Sequence, residues 1–328
     1  MDIYEHVLES KNFVFDLFHN KKICFLDIET TGLSRKFNQI YLIGLVYFNE
    51  EKNKWNLKQL FAKNIEQEKI LLEKFNSFID NFNLLITYNG DSFDIPFIKY
   101  RFKEHNIDSN IYNIDSFDIY REIKAESPYL NFNNLKLKTI EEALGIYRED
   151  EYSGKDCINF YYQYMNKKDD ILKEKILKHN YDDLYYLIDI LKIFELIDNI
   201  KTLSINFNGS NMKIKIENIS IEGDLLKILC EPSVLDKRRN IIYYQDGINI
   251  HWQSQSIAIS LEIGKGLITP TKKALYFNKT NFPPDMDIGL EDLSEYMVPD
   301  NILLLKVENK YVMENIKNII KNLLSSIK

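Results

Sequence analysis

The chain lacks the features that mark exported or membrane-spanning proteins. Its three cysteines, Cys24, Cys157 and Cys230, stand far apart with no CxxC spacing, so neither a disulfide framework nor a zinc site is suggested. No apolar run approaches the roughly 18 residues that span a bilayer. The opening residues, with Asp2 and Glu5, carry no basic stretch followed by an apolar one, the pattern of an export signal. An excess of positive charge is absent as well. The formal charge is -7 and the isoelectric point is near 5.5, which gives no global footprint of a protein that coats nucleic acid, although a local groove on an enzyme stays allowed. Internal repeats and low-complexity segments are also missing. What remains is an expectation of a cytoplasmic globular protein with no membrane partner, and 328 residues are enough for two domains.

The most informative stretch is Cys24 to Leu33, reading Cys-Phe-Leu-Asp-Ile-Glu-Thr-Thr-Gly-Leu. Side chains alternate faces along a strand, so Asp27 and Glu29 point one way while Leu26 and Ile28 point the other. Two carboxylates this close repel, and burial adds to the cost unless a cation sits between them. Taken alone, the pair is equally a solvated strand face ended by a Thr-Gly turn. Acids from elsewhere in the chain have to decide.

Before this strand, residues 1–20 mix Tyr4, Val7, Leu8, Phe13, Val14, Phe15, Leu17 and Phe18 with acids and His19, and predict a short helix or irregular arm covering an edge. After it, Ile40 to Phe48 and Trp55 to Ala62 read as strands. Their connections are too short for a helical crossover, so a meander is expected. The apolar period then lengthens from 2 to 3.6 over Glu66 to Phe82, an amphipathic helix. Leu84 to Gly90 is a short strand and turn. It leads to Asp94 and Pro96 at a helix start, where Asp94 alone reads as an N-cap. A strand and helix follow through Ile114 to Lys124, and a short helix runs from Thr139 to Leu144 with a capping box from Thr139 to Glu142 and Gly145 as its stop. An aromatic helix around Ile158 to Met165 precedes one long helix from about Asp169 to Leu196. Within the long helix, His179 and Asp183 are four apart and share a face, whereas Tyr181 points elsewhere.

From Lys201 the pattern changes to alternating runs separated by Asn-Gly, Glu-Gly and Asp-Gly, which reads as an antiparallel β-rich domain ended by an amphipathic helix from Val312 to Ile327. This part holds 16 basic and 15 acidic residues, against 26 and 34 before it. Residues 1–200 and 201–328 are therefore read as two domains, an α/β one and a smaller β-rich one. In the second, Lys237-Arg238-Arg239 and Lys272-Lys273 near Trp252 offer a possible strand-guiding groove. The alternative is a solvated turn with ordinary core aromatics.

A mostly β-then-α sheet brings together the ends carrying Asp27 with Glu29, Asp94, and His179 with Asp183. Four carboxylates around one pocket suit Mg²⁺ or Mn²⁺. Two such ions roughly 4 Å apart activate water and stabilise the leaving oxygen in an in-line phosphoryl displacement. His179 can accept a proton at neutral pH and is the candidate general base.

These residues carry a resemblance. Asp-Ile-Glu-Thr-Thr-Gly-Leu, Tyr-Asn-Gly-Asp-Ser-Phe-Asp-Ile-Pro and His-Asn-x-x-Asp resemble, in order, the first, second and third motifs of the DnaQ-like (DEDD) 3′-to-5′ exonuclease superfamily. Ile40-Tyr41-Leu42-Ile43-Gly44, Leu135 to Glu141 and Ser153-Gly154 are similar to the YprB-type ribonuclease-H-like domain. The resemblance spans roughly residues 20–200. It implies a ribonuclease-H-like mixed sheet flanked by helices, with Asp27, Glu29, Asp94 and Asp183 as ligands to two Mg²⁺ or Mn²⁺ ions. It further implies that Thr30, Thr31 and Leu33 contact the terminal nucleotide of a nucleic-acid substrate, a single-stranded 3′ end, and that Asn89 helps hold that strand. The third motif departs from the family's patterns: the tyrosine subtype has Tyr four residues before the last Asp, the histidine subtype His five before it, and here His179 takes the tyrosine-type spacing. The base thus stays open between His179 and Tyr181, and Asp182 rivals Asp183 on spacing alone. A non-catalytic nucleic-acid-binding or assembly protein and a structure-specific endonuclease on the same fold are the competing functions. The choice of DNA or RNA, protein partners and oligomeric state are not readable.

Overall fold

A computed structural model of the chain describes residues 1–8, 18, 20–148, 152–207, 209–234, 240–245, 247–282 and 290–327. They form two compact units. One comprises Met1–Lys124 with Asn134–Ile193, the other Ala125–Asn133 with Phe194–Lys328.

The first unit contains β1 (Asp2–Leu8), β2 (Ile23–Thr30), β3 (Ile40–Asn49), β4 (Lys54–Phe61), α1 (Glu68–Ile79), β5 (Leu84–Thr87), α2 (Asp94–Glu104), β6 (Asp115–Asp118), α3 (Ile119–Ala125), α4 (Leu137–Ala143), α5 (Gly154–Lys167) and α6 (Asp170–Ile190). Its sheet has six strands in the order β1-β4-β3-β2-β5-β6. Short connections make β2, β3 and β4 an antiparallel meander, whereas β5 and β6 run parallel to β2 because a helix separates each from the strand before it. This is the mixed sheet flanked by helices that the resemblance implied. Leu71, Leu72, Phe75 and Ile79 of α1 are inaccessible to solvent and join Leu26, Ile28 and Ile43 in one core. Each such side chain contributes about 1.5–3 kcal/mol on leaving water.

Three local expectations need correction. Residues 2–8 form neither helix nor irregular arm but an edge strand, antiparallel to β4 and held by the ion pairs Glu5–Lys58 (2.7 Å) and Asp2–Lys63 (2.8 Å). Phe13, Val14, Phe15, Leu17 and His19 lie outside the described residues. The long helix is interrupted after Ile190. The Lys192 N–H turns back to the Asp189 carbonyl at 3.0 Å, the tight bond that closes a helix end. The capping box at Thr139 does not form, because α4 starts earlier and the Thr139 hydroxyl bonds Asn134 Oδ1 at 2.7 Å. A capping box is present instead at α5, between Ser153 and Asp156.

The second unit contains α7 (Ile193–Lys201, starting at the unit boundary), β7 (Thr202–Phe207), β8 (Ser210–Glu222), β9 (Leu225–Pro232), β10 (Asn240–Gln245), β11 (Ile248–Gln253), β12 (Ser256–Glu262), β13 (Gly264–Leu267), β14 (Lys273–Asn278), β15 (Ile302–Val307), β16 (Lys310–Tyr311) and α8 (Met313–Ser326). Six strands form one sheet in the order β10-β11-β12-β9-β8-β7, and four form another, β13-β14-β15-β16. Gly223, with φ +61°, makes the left-handed turn between β8 and β9 that an L side chain resists. The apolar face of α8 closes the core. Trp252 belongs to that core rather than to a groove: it is inaccessible, with its ring 4.8 Å from Phe207. Lys237, Arg238 and Arg239 fall outside the described residues.

Candidate functional site

The register of the first sheet sets Asp27 on β2 beside Gly44 on β3, and Gly44 beside Gln59 on β4. Paired residues share a face, so these three form one row. Helix α6 crosses that row. Its buried Asn180 donates from Nδ2 to Asp27 Oδ2 at 2.7 Å and accepts from Gln59 Nε2 at 2.8 Å; the same Gln59 nitrogen reaches the Leu177 carbonyl at 2.8 Å. Gly44 leaves the space that Asn180 occupies. Asp27 is thus oriented by a buried amide relay that also locks α6 onto the sheet.

Glu29, two residues on, faces the same way. Carboxylate oxygens of Asp27, Glu29 and Asp183 lie within 4.8 Å of one another. Asp94 opens α2 but does not cap it: the N-cap is Phe93, and Asp94 Oδ1 instead accepts the backbone N–H of Ile28 at 3.0 Å, between Asp27 and Glu29. The acids the sequence placed in three separated segments therefore meet at the end of β2.

Their electrostatics follow from that crowding. Burial, then the charges of Asp183, Asp94 and Glu29, push the Asp27 carboxyl well above its ordinary range, against the opposing Asn180 hydrogen bond. Burial pushes Glu29 up to about 8, with His179 pulling it down and Asp183 and Asp94 adding to the rise. Asp94 rises to about 7, mainly through burial and against the Ile28 hydrogen bond. Such a site resists holding all its negative charge unaided. Convergent carboxylate oxygens with mutually raised pKa values are a donor set that fits a divalent cation.

His179 is buried, with Nε2 3.8 Å from Glu29 Oε1 and 3.7 Å from Asp183 Oδ2. Tyr181 faces elsewhere: its ring meets His6 edge-on at 5.3 Å and stacks on Tyr185 at 5.7 Å. Asp182, the rival of Asp183, is turned to Lys178 at 2.8 Å. Among the remaining candidates, Thr30 and Thr31 are buried and their hydroxyls serve the loop after β2, bonding Gly32 O (2.9 Å) and the Gln39 N–H (3.0 Å). Leu33 is 84% exposed. Asn89 is exposed in a left-handed turn, φ +65°, with its N–H bonded to Asp118 Oδ1 at 2.8 Å.

Residues outside the motifs complete the site. Arg148 pairs through Nη1 with Asp183 and through Nη2 with Glu141, whose side chain is 2% exposed. Arg148, His179 and Asp183 line a cleft of about 450 Å³ together with Lys136, Lys138 and Tyr147. Cys157 joins too: its sulfur, His179 and Glu29 offer atoms within 4.8 Å of one another. Its isolation in sequence concealed this, since only the packing of α5 brings the thiol there. Asn180 falls within the third motif string, His-Asn-x-x-Asp, with no role read for it there, and Gln59 carried no signal in a strand that also holds Asn56 and Lys58. Arg148 carried none.

A mixed sheet of this order, with acids gathered at the end of its central strand, defines a ribonuclease-H-like α/β protein. A family model described as the RNase H superfamily matches residues 24–194, and the chain belongs to that superfamily. Among curated relatives it is 27% identical over 191 residues to the uncharacterized protein YprB of Bacillus subtilis (strain 168), a match covering 56% of this chain and 43% of YprB. The chain therefore spans less than half the length of that relative. Similar solved structures include a family B DNA polymerase from the hyperthermophilic archaeon Pyrobaculum calidifontis, with 13% identity, TM-score 0.43, and 54% of this chain and 24% of that one covered. E. coli exonuclease I in complex with a dT13 oligonucleotide is similar at 12% identity and TM-score 0.37, covering 67% and 58% respectively.

Proposed function

We propose that the chain is a metal-dependent nuclease that hydrolyses phosphodiester bonds from the 3′ end of single-stranded nucleic acid. The observation that carries this reading is the convergence of Asp27, Glu29 and Asp183 within 4.8 Å beside His179. Membership of the RNase H superfamily supports it. Asp27, Glu29, Asp94 and Asp183 would hold Mg²⁺ or Mn²⁺. When bound, the cations supply the charge that activates water and stabilises the leaving oxygen. The chain's own residues do the rest. Asn180 and Gln59 fix the direction of Asp27, and His179, between Glu29 and Asp183, takes the proton from the attacking water. Leu33 and Asn89, both exposed, are the proposed contacts to the terminal nucleotide, with the loop at Thr30 and Thr31 shaping their approach.

Matched 5′-labelled DNA and RNA oligomers, single- and double-stranded, test this with and without Mn²⁺. Progressive shortening of the labelled strand from its 3′ end is expected. Internal fragments would make the chain an endonuclease, and an unchanged strand in Mn²⁺ would leave a binding-only role. No described helix is long and apolar enough to cross a membrane.

A further inference from the structure

Arg148 is, among the described residues, the one arginine or lysine in contact with a proposed ligand. Its side chain is 11% exposed, and its guanidinium bridges two acids: Asp183, which belongs to the carboxylate cluster, and Glu141, which does not. A planar fork can release one edge while the other stays fixed, which a lysine cannot do. Burial of Glu141 anchors the second edge, since an unpaired carboxylate there would be left without water or counter-charge. The released edge would stay in the cleft, where Lys136 and Lys138 add positive charge.

Resting on the nuclease reading, we propose that Arg148 occupies Asp183 in competition with the divalent cation, and that once Asp183 turns to the cation the freed edge, still held by Glu141, binds a phosphate of the nucleic acid in this cleft. A cation and a guanidinium repel when they share Asp183, so the cation favours release of the arginine. A phosphate gives the released guanidinium a new partner. Cation and nucleic acid therefore each tighten the binding of the other.

The test uses the full chain and two readouts independent of catalysis. Mn²⁺ binding is followed by the electron paramagnetic resonance of free Mn²⁺. Binding of fluorescein-labelled oligothymidylate with phosphorothioate linkages, and of a matched RNA, is followed by anisotropy in Ca²⁺. Arg148→Gln is expected to bind Mn²⁺ about tenfold more tightly and the oligomers about tenfold more weakly, the equilibrium equivalent of one charge-assisted hydrogen bond. Should Arg148→Gln fail to fold by circular dichroism, Glu141→Gln/Arg148→Gln, which removes both buried charges, is read instead with the same expectation. Unchanged or weaker Mn²⁺ binding in the variant overturns the proposal and makes Arg148 a support for Asp183. Absence of Mn²⁺ binding in the wild type overturns the nuclease reading itself.

Discussion

Gly44 on β3 and Asn180 on α6 are in such close contact that a Cβ at position 44 would sit 2.3 Å from Asn180 Oδ1 and 2.4 Å from Leu184 Cδ1. Neither neighbour has room to yield. Asn180 is fully buried and bonded to Asp27 and Gln59, and Leu184 is inaccessible in the core. Gly44→Ala should push α6 off the sheet, costing about 1–3 kcal/mol. Because α6 also carries His179 and Asp183, nuclease activity should fall further than stability alone accounts for. Urea unfolding midpoints beside initial degradation rates check this. Wild-type values for both would mean the contact relaxes freely.

The legible parts of this protein are those written in local periodicity or in motif strings. The meander from β2 to β4 and the strands after Lys201 follow from alternation and turn residues, helix α1 from its 3.6 period; Asp27, Glu29 and Asp94 stood out as acids in apolar or capping positions, and Asp183 through its spacing from His179 and the motif resemblance. Tertiary choices were hidden. Whether Asp94 caps its own helix or reaches Ile28 depends on how α2 meets β2, which no local pattern encodes. Edge strand β1 has too little alternation to be told from a loop, and its pairing is decided by the free side of β4. That residues 125–133 pack with the second unit, where Tyr129 stacks on Tyr311 at 5.4 Å, likewise depends on partners far away in sequence. Arg148 sits between the stop at Gly145 and the helix around Ile158, in a stretch that no motif or period marks, and only the three-dimensional site gives it meaning.

Asp27→Asn separates the chemistry from the fold. An asparagine can still accept the Asn180 hydrogen bond, so the relay to Gln59 survives. The substitution removes one of the mutually repelling charges that raise the pKa values of this site. Without metal at about pH 8, where Glu29 is midway through its titration, the melting temperature should rise relative to wild type. Metal-dependent degradation should fall to background. A destabilised Asp27→Asn would show that the carboxylate itself supports the fold.

His179 and Tyr181 are separated by position on α6 as much as by chemistry. One faces Glu29 and Asp183, the other His6 and Tyr185. His179→Gln should lower kcat about 10²–10⁴-fold, the span attributed to general-base catalysis, and flatten the rise of rate with pH. Tyr181→Phe should keep a near-wild-type rate and profile. The opposite ranking would transfer the role of base to Tyr181.

The raised carboxyls also tie stability to pH, with a definite sign. Glu29 and Asp94 have folded-state pKa values of about 8 and about 7, whereas in the unfolded chain they return to ordinary carboxyl values near 4. Between about pH 4 and 8 the native state therefore holds more protons than the unfolded state, and the free energy of unfolding falls as pH rises through that window. The stability these groups contribute is complete below the unfolded-state values and is lost as they ionise. A divalent cation reverses the trend by binding the ionised carboxylates and displacing their protons, so its stabilising effect grows with pH. Scanning calorimetry from about pH 5 to about pH 8.5, in EDTA and in Mn²⁺, should give melting temperatures that decline with pH in EDTA and diverge upward in Mn²⁺ toward the alkaline end. Glu29→Gln should flatten the EDTA curve and shrink the Mn²⁺ effect. A wild-type EDTA curve that stays level or climbs across this range would mean that the acids titrate independently, and the crowding at the end of β2 would then have no bearing on the protein's charge.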